Sequence, residues 1–139
     1  MIHGNDPAEY RRFFQEAWRK YREGADLEPM ESLVAKIIGL HPEYHNLLES
    51  PQIADREFTT LTEENPFLHL GLHVALHEQL AADRPTGIRA LHQRLVRRQG
   101  DPHDAEHRMT ECLAEALWEA QRGGCEPDET VYLERLRRL

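Results

Sequence analysis

The chain has 139 residues, of which 40% are hydrophobic and 30% charged, and its formal net charge at pH 7 is −8. This length and composition indicate one globular domain over residues 1–139, and the acidic balance disfavours general affinity for a nucleic-acid backbone. No apolar run approaches the roughly 20 residues of a membrane span, and the first residues lack the pattern of a secretion signal, so we expect a cytoplasmic protein.

Helical periodicity dominates the first fifty residues. Apolar residues recur at helical spacing over 10–21 and again over 30–38, which predicts two amphipathic helices. A short helix is predicted after His41-Pro42. Because a residue before proline avoids the α region, we expect that His41 and His45 do not form an i, i+4 pair on one helix.

The second half of the chain predicts four longer helices after a loop over 51–64. Capping residues or prolines begin these helices and glycines or prolines follow them. The helices are expected at about 65–82, 88–100, 102–123 and 128–139. Strand signals are nearly absent, so the sequence predicts an all-α fold, a compact bundle of about five to seven helices.

Three histidines, His69, His73 and His77, recur at every fourth position of the 65–82 helix. Residues at this spacing lie on one face of a helix, and here it is the apolar face, so the histidines are predicted to be buried. A buried imidazole is either a metal ligand or a core group that needs hydrogen-bond partners. Since His69 and His77 are about 12 Å apart along the axis, at most two adjacent histidines can share one ion.

The best source of further ligands is the 102–123 helix. Histidines and glutamates repeat there at every fourth position, at His103, His107, Glu111 and Glu115. Nitrogen and oxygen donors of this kind suit zinc, iron, manganese or nickel. These residues lie opposite the main apolar face of their helix, so a solvated polar face is the alternative. The predicted metal ligands are His69, His73, His107 and Glu111. The sequence is compatible with a structural role and with a catalytic role for the ion.

Among the remaining histidines, His45 is a further candidate ligand, His92 is expected to pack against the core, and His3 is terminal. A basic segment carries Arg84, Arg89, Arg94, Arg97 and Arg98. On a helix these arginines spread over the polar side, for which we expect a solvated, salt-bridged face.

Four segments, HPEYHNLLE (41–49), NPFLHLGLH (65–73), DRPTGIRALHQRL (83–95) and ECLAEALWEAQR (111–122), together resemble a bacterial family, the domain of unknown function numbered 1841. The resemblance covers nearly the whole chain. It implies a small cytoplasmic bacterial protein, and it implies no activity and no catalytic residues.

Three functional hypotheses follow from the sequence. The first is a transition-metal-binding bundle with a buried histidine and glutamate site. The second is a non-enzymatic protein-interaction module, with a homodimer as one form, whose histidines are hydrogen-bonded core residues. The third, ranked last, is an RNA-associated protein that uses the arginines of 84–98. The sequence holds no HExxH motif, no paired ExxH motifs, no phosphate-binding glycine loop and no nucleophile elbow, so it indicates no enzyme class.

Overall fold

The computed structural model describes residues 7–50 and 65–139, and these residues form helices joined by short connections. The helices are α1 (Pro7–Arg22), α2 (Pro29–Gly39), α3 (His45–Leu48), α4 (Pro66–Ala82), α5 (Ile88–Gln99), α6 (Pro102–Gly123) and α7 (Glu129–Arg137), with a 3-10 turn at Pro42–Tyr44. The described residues contain no strand, and the predicted all-α fold class is confirmed. His3 and the predicted loop over 51–64 lie outside the described residues.

The chain divides into two compact units, Met1–Gly71 and Leu72–Leu139, and the division falls within α4. The described part of the first unit holds α1, α2, the 3-10 turn, α3 and the beginning of α4. The second unit holds the remainder of α4 with α5, α6 and α7. That the whole chain is a single domain stays a prediction.

The core of the first unit is formed where α1 packs against α2. Phe14 and Ala17 of α1 and Val34 and Ile38 of α2 are all fully buried. The ring of Phe14 also meets Phe67 edge-on, with ring centroids 6.2 Å apart. The periodic apolar positions of 10–21 and 30–38 therefore face each other, as their spacing predicts.

A tight contact between α1 and α4 depends on Gly71. A Cβ atom placed on Gly71 would overlap the hydroxyl of Tyr10, whose ring lies 4.9 Å from that of Phe14. Glycine at this position therefore lets the Tyr10 side chain lie directly on the α4 backbone. The substitution of any larger residue would force this contact apart.

The end of α2 sets the position of His41. The backbone of His41 has φ −126° and ψ 67°, outside the α region, because Pro42 follows it. His41 and His45 are therefore not an i, i+4 pair on one helix, as the sequence predicts. The chain then turns through the 3-10 segment into α3.

In the second unit, α6 provides the centre of the core. Ala105, Met109 and Leu113 of α6 are buried with Leu95 of α5 and Tyr132 of α7. The beginning of α6 follows its predicted signals, since the side chain of Asp101 accepts a hydrogen bond from the backbone N–H of His103 at 3.0 Å. Gly124 ends the helix in the left-handed conformation, with φ 62°.

No helix in the described ranges combines the length and the apolar character that a membrane span requires.

Candidate metal centre

The three histidines of α4 differ in burial. His73 is only 1% exposed, so the predicted burial is confirmed there. His69 and His77 are half-buried. Because α4 is one continuous helix, His69 and His73 lie on the same face one turn apart. The middle histidine of the predicted set is thus the most enclosed.

His41 forms the first of two histidine contacts with α4. It is fully buried, and its Nδ1 lies 2.8 Å from the carbonyl oxygen of Ile37. A carbonyl only accepts hydrogen bonds, so Nδ1 of the neutral ring carries the proton and the lone pair is on Nε2. Nε2 in turn lies 3.1 Å from Nε2 of His69.

A separation of 3.1 Å between two imidazole nitrogens has two chemical explanations. One nitrogen donates its N–H to the lone pair of the other, as in an ordinary hydrogen bond. Alternatively, both lone pairs face one metal ion. Two nitrogens bound to a tetrahedral zinc ion at about 2.0–2.1 Å are about 3.4 Å apart. The distance between the two Nε2 atoms is that of a hydrogen bond, and it is also close to the separation of two nitrogens bound to one zinc ion.

His73 belongs to a second set of rings, contributed by α6. Its ring centroid lies 4.9 Å from that of His107 and 5.5 Å from that of His103. The His103 and His107 rings are themselves 4.2 Å apart. On the other edge of the His73 ring, Nδ1 lies 3.5 Å from Oε2 of Glu106. A carboxylate beside Nδ1 places the proton there and the lone pair on Nε2.

Glu106 is a buried carboxylate that two histidines share. Only 8% of the residue is exposed, and its Oε2 also lies 3.1 Å from Nε2 of His77. Burial raises the pKa of Glu106, but the hydrogen bonds from His73 and His77 outweigh it and hold the pKa well below its usual range. The carboxylate therefore keeps its negative charge beside His73 at neutral pH.

Around His69 and His73, four histidine side chains approach one another. One ring nitrogen from each residue lies within 4.8 Å of the other three, close enough for the group to hold one metal ion. The four are His41, His69, His73 and His107. We call them the histidine cluster. Two of its members are buried and two are half-buried.

The histidine cluster contains three of the four predicted ligands, His69, His73 and His107. Glu111, the fourth, is exposed on α6 and is not a member. His41 is a member that the sequence pattern does not indicate, because it lies outside a helix, before Pro42, and follows no helical repeat. Glu106 was missed as well. Its signal was a single glutamate beside the apolar positions Ala105 and Met109 of α6.

The other candidate histidines have different surroundings. His45 lies outside the cluster, with Nε2 2.8 Å from the carbonyl of Ile38 and its ring 4.5 Å from that of Trp18. His92 is half-buried, and within the described ranges its Nε2 has no hydrogen-bond partner. Burial lowers the pKa of His92, which favours its neutral form. Both residues can therefore serve as controls for substitutions in the other histidines.

A family model described as "Domain of unknown function (DUF1841)" matches residues 6–138 of the chain, and the chain belongs to this family. No curated protein and no solved structure matches it. The family description names no activity, so a function has to be argued from the chemistry of the site.

Proposed function

We propose that this protein binds one transition-metal ion through the histidine cluster. The observation that carries the proposal is the orientation of its two fully buried rings. In both His41 and His73, Nδ1 faces an oxygen acceptor and the lone pair is on Nε2. Histidines that bind metals almost always have their second nitrogen held by a carbonyl or a carboxylate in this way.

The donor set indicates the class of metal. Four neutral imidazoles are borderline ligands that suit zinc, nickel or ferrous iron. Magnesium and calcium prefer oxygen ligands, and manganese is the least suited of the four predicted metals. Four nitrogens also complete a tetrahedral zinc site and leave no position for a substrate. The proposed role of the ion is therefore structural.

Glu106 supports the site as a positioning residue. It is ionised, and it contacts His73 rather than the proposed ion. Its negative charge partly offsets the two positive charges that an ion would bring. The neutral ligand set thus has a compensating charge next to it.

A second candidate function is a non-enzymatic helical module whose histidines are hydrogen-bonded core residues. The 3.1 Å separation of Nε2 in His41 and His69 favours it, because a hydrogen bond between neutral imidazoles has this length. Under this alternative the cluster stabilises the fold and takes up no ion.

Metal content distinguishes the two functions. The protein is purified without a histidine tag, offered zinc, nickel, ferrous iron or manganese in turn, and analysed for bound metal after dialysis. The matched variants are the double substitution His41→Gln/His73→Gln and the control His45→Gln/His92→Gln. We expect one ion per chain in the unchanged protein and in the control, and none in the first variant. Absence of stoichiometric metal in the unchanged protein would overturn the proposal.

Stability measurements guard against a variant that does not fold. Circular dichroism reports the helix content of each variant, and His107→Gln replaces a half-buried member of the cluster as a milder test. A bound ion stabilises the folded state by mass action. We expect zinc to raise the Tm of the unchanged protein and to leave the Tm of His107→Gln nearly unchanged. Equal shifts in both proteins would contradict the proposed site.

A further inference from the structure

The segment that carries α5 is basic within an acidic chain. Residues 84–100 contain five arginines and no acidic residue, whereas the net charge of the chain is −8. All five arginine side chains are exposed: Arg84, Arg89, Arg94, Arg97 and Arg98. The positive charge of this segment is therefore presented to solvent.

Within residues 7–50 and 65–139, no carboxylate forms a salt bridge with these arginines. Arg89 donates to the carbonyls of Leu80 and Ala81, at 3.1 and 2.9 Å, and so caps the end of α4. The expectation of a salt-bridged face is wrong for the described residues. By contrast, Arg135 of α7 pairs with Glu119 at 2.5 Å.

Three of the arginines lie on one side of α5, and this side is joined to the end of α7. Arg94, Arg97 and Arg98 lie within a sector of about 100° at 100° per residue. Arg94 also donates to the carbonyl of Arg137 at 3.0 Å, which joins this sector to α7. Arg137 and Arg138 are exposed there and share a single carboxylate, that of Glu134, at 3.5 and 3.8 Å. We call Arg94, Arg97, Arg98, Arg137 and Arg138 the arginine face.

We propose that the arginine face binds the phosphodiester backbone of a nucleic acid. Guanidinium groups match phosphate oxygens with two parallel hydrogen bonds, and Arg94, Arg97 and Arg98 can form them without first breaking a salt bridge to a described residue. The arginine face contains no aromatic residue on which a base could stack. Recognition therefore depends on charge and is independent of sequence.

The packing of α5 argues against an anionic membrane as the partner. A helix that binds a membrane surface inserts its apolar side between the lipids. The apolar side of α5 is already in the core, since Ile88 is 0% exposed and Leu95 is 4% exposed. Only the charged side is available, and charge alone suits a phosphate backbone.

The acidic net charge does not prevent such binding. At physiological ionic strength, exposed charges more than about 8 Å apart are largely screened from each other. A bound backbone thus responds mainly to the charges nearest to it. The arginine face supplies five positive charges, and Glu134 is paired with two of them, Arg137 and Arg138. Binding should accordingly be local, weak and strongly dependent on salt.

The proposal is tested by fluorescence anisotropy with labelled 20-base-pair RNA and DNA duplexes over a range of salt concentrations. The variant is Arg97→Glu/Arg98→Glu. The control Arg19→Glu/Arg22→Glu makes the same change in net charge at two exposed arginines of α1 that already pair with glutamates. Circular dichroism checks that both variants fold, and Arg97→Gln/Arg98→Gln is the milder substitute if the first does not.

We expect the unchanged protein and the control to bind, with log affinity falling linearly with log salt. The slope is about −0.9 for each phosphate contacted, so losing two contacts should make the slope less negative by about 1.8. Equal binding of both duplexes supports recognition of the phosphodiester backbone that they share. A preference for one duplex identifies RNA or DNA as the kind of nucleic acid bound. If neither duplex binds at about 50 mM salt, the proposal is overturned. Binding that Arg97→Glu/Arg98→Glu leaves intact, or capture of poly-glutamate in place of both duplexes, would overturn it as well.

Discussion

His41 and His73 are the two fully buried rings of the histidine cluster, and they are held in different ways. Nδ1 of His41 faces the backbone carbonyl of Ile37, whereas Nδ1 of His73 faces the carboxylate of Glu106. A carbonyl orients a ring without adding a formal charge. A carboxylate orients it and also places a negative charge beside it.

This difference gives two ways to orient a ligand of the proposed ion. The His41 ring depends on the backbone at the end of α2, so no side-chain substitution removes its partner without altering the helix. The His73 ring depends on Glu106, a side chain that can be replaced. For the proposed ion, the strength of binding should therefore be adjustable through Glu106 and fixed at the backbone carbonyl of Ile37.

The largest expected effect comes from removing either ring. We expect His41→Gln and His73→Gln each to lower zinc affinity by more than about 100-fold, because each removes a ligand rather than its support. Competition titration with a chromophoric chelator measures the affinity, and His45→Gln is the matched control. If His41→Gln binds zinc as tightly as the unchanged protein, then His41 is not a ligand.

Replacing the support of His73 should have a smaller effect. We expect Glu106→Gln to lower zinc affinity by about 10- to 100-fold, because the amide keeps a polar contact but carries no charge. The same titration measures it. Glu111→Gln is the control, since Glu111 is exposed and outside the cluster. A loss with Glu111→Gln as large as that with Glu106→Gln would instead favour the ligand set predicted from sequence.

Packing near the start of α4 can be disturbed without touching a histidine. We expect Gly71→Ala to destabilise the protein by about 1–3 kcal/mol, because the added methyl group displaces the Tyr10 side chain. Urea unfolding measures the change. Gly39→Ala is the control, because nothing lies within 4 Å of a Cβ atom there. If both variants have the same stability, the contact between Tyr10 and Gly71 has no energetic role.

The smallest expected effect concerns the start of α2. Lys20 Nζ lies 2.8 Å from Oε2 of Glu31, and this hydrogen bond, followed by one from the Glu28 backbone, lowers the pKa of Glu31. A lowered pKa stabilises the fold above the unfolded value of about 4.3, and the contribution disappears as pH falls through the folded pKa. Glu31→Gln should therefore be less stable than the unchanged protein at pH 7, and the difference should vanish in acid. Chemical unfolding at several pH values tests this, and a difference that stays constant would contradict it.

The helices could be predicted because each carries a local signal. Proline, aspartate and glycine mark the ends of α6 in the sequence, and the structure begins and ends that helix at Pro102 and Gly123. The spacing of apolar residues likewise identified the buried sides of α1 and α2. Such signals act within a few residues, so they need no knowledge of the tertiary structure.

The site could be predicted only in part, because its members have different origins. His69 and His73 follow a helical repeat, which a sequence shows directly. His41 lies at a non-repeating position after the end of α2, and only tertiary structure brings it to His69. Glu111 continued the repeat of His107, yet it faces solvent. Periodicity identifies a common face of one helix and cannot show what that face meets.

His41 also closes the end of a helix. The carbonyl of Ile37, which accepts from its Nδ1, belongs to the last turn of α2 and accepts from the backbone N–H of Leu40 as well. One imidazole thus satisfies a helix terminus through one nitrogen and offers the other to the proposed ion. A free metal concentration of 100 times the Kd would stabilise the folded state by about 2.7 kcal/mol. The free energy of unfolding would then vary with the free metal concentration around the protein.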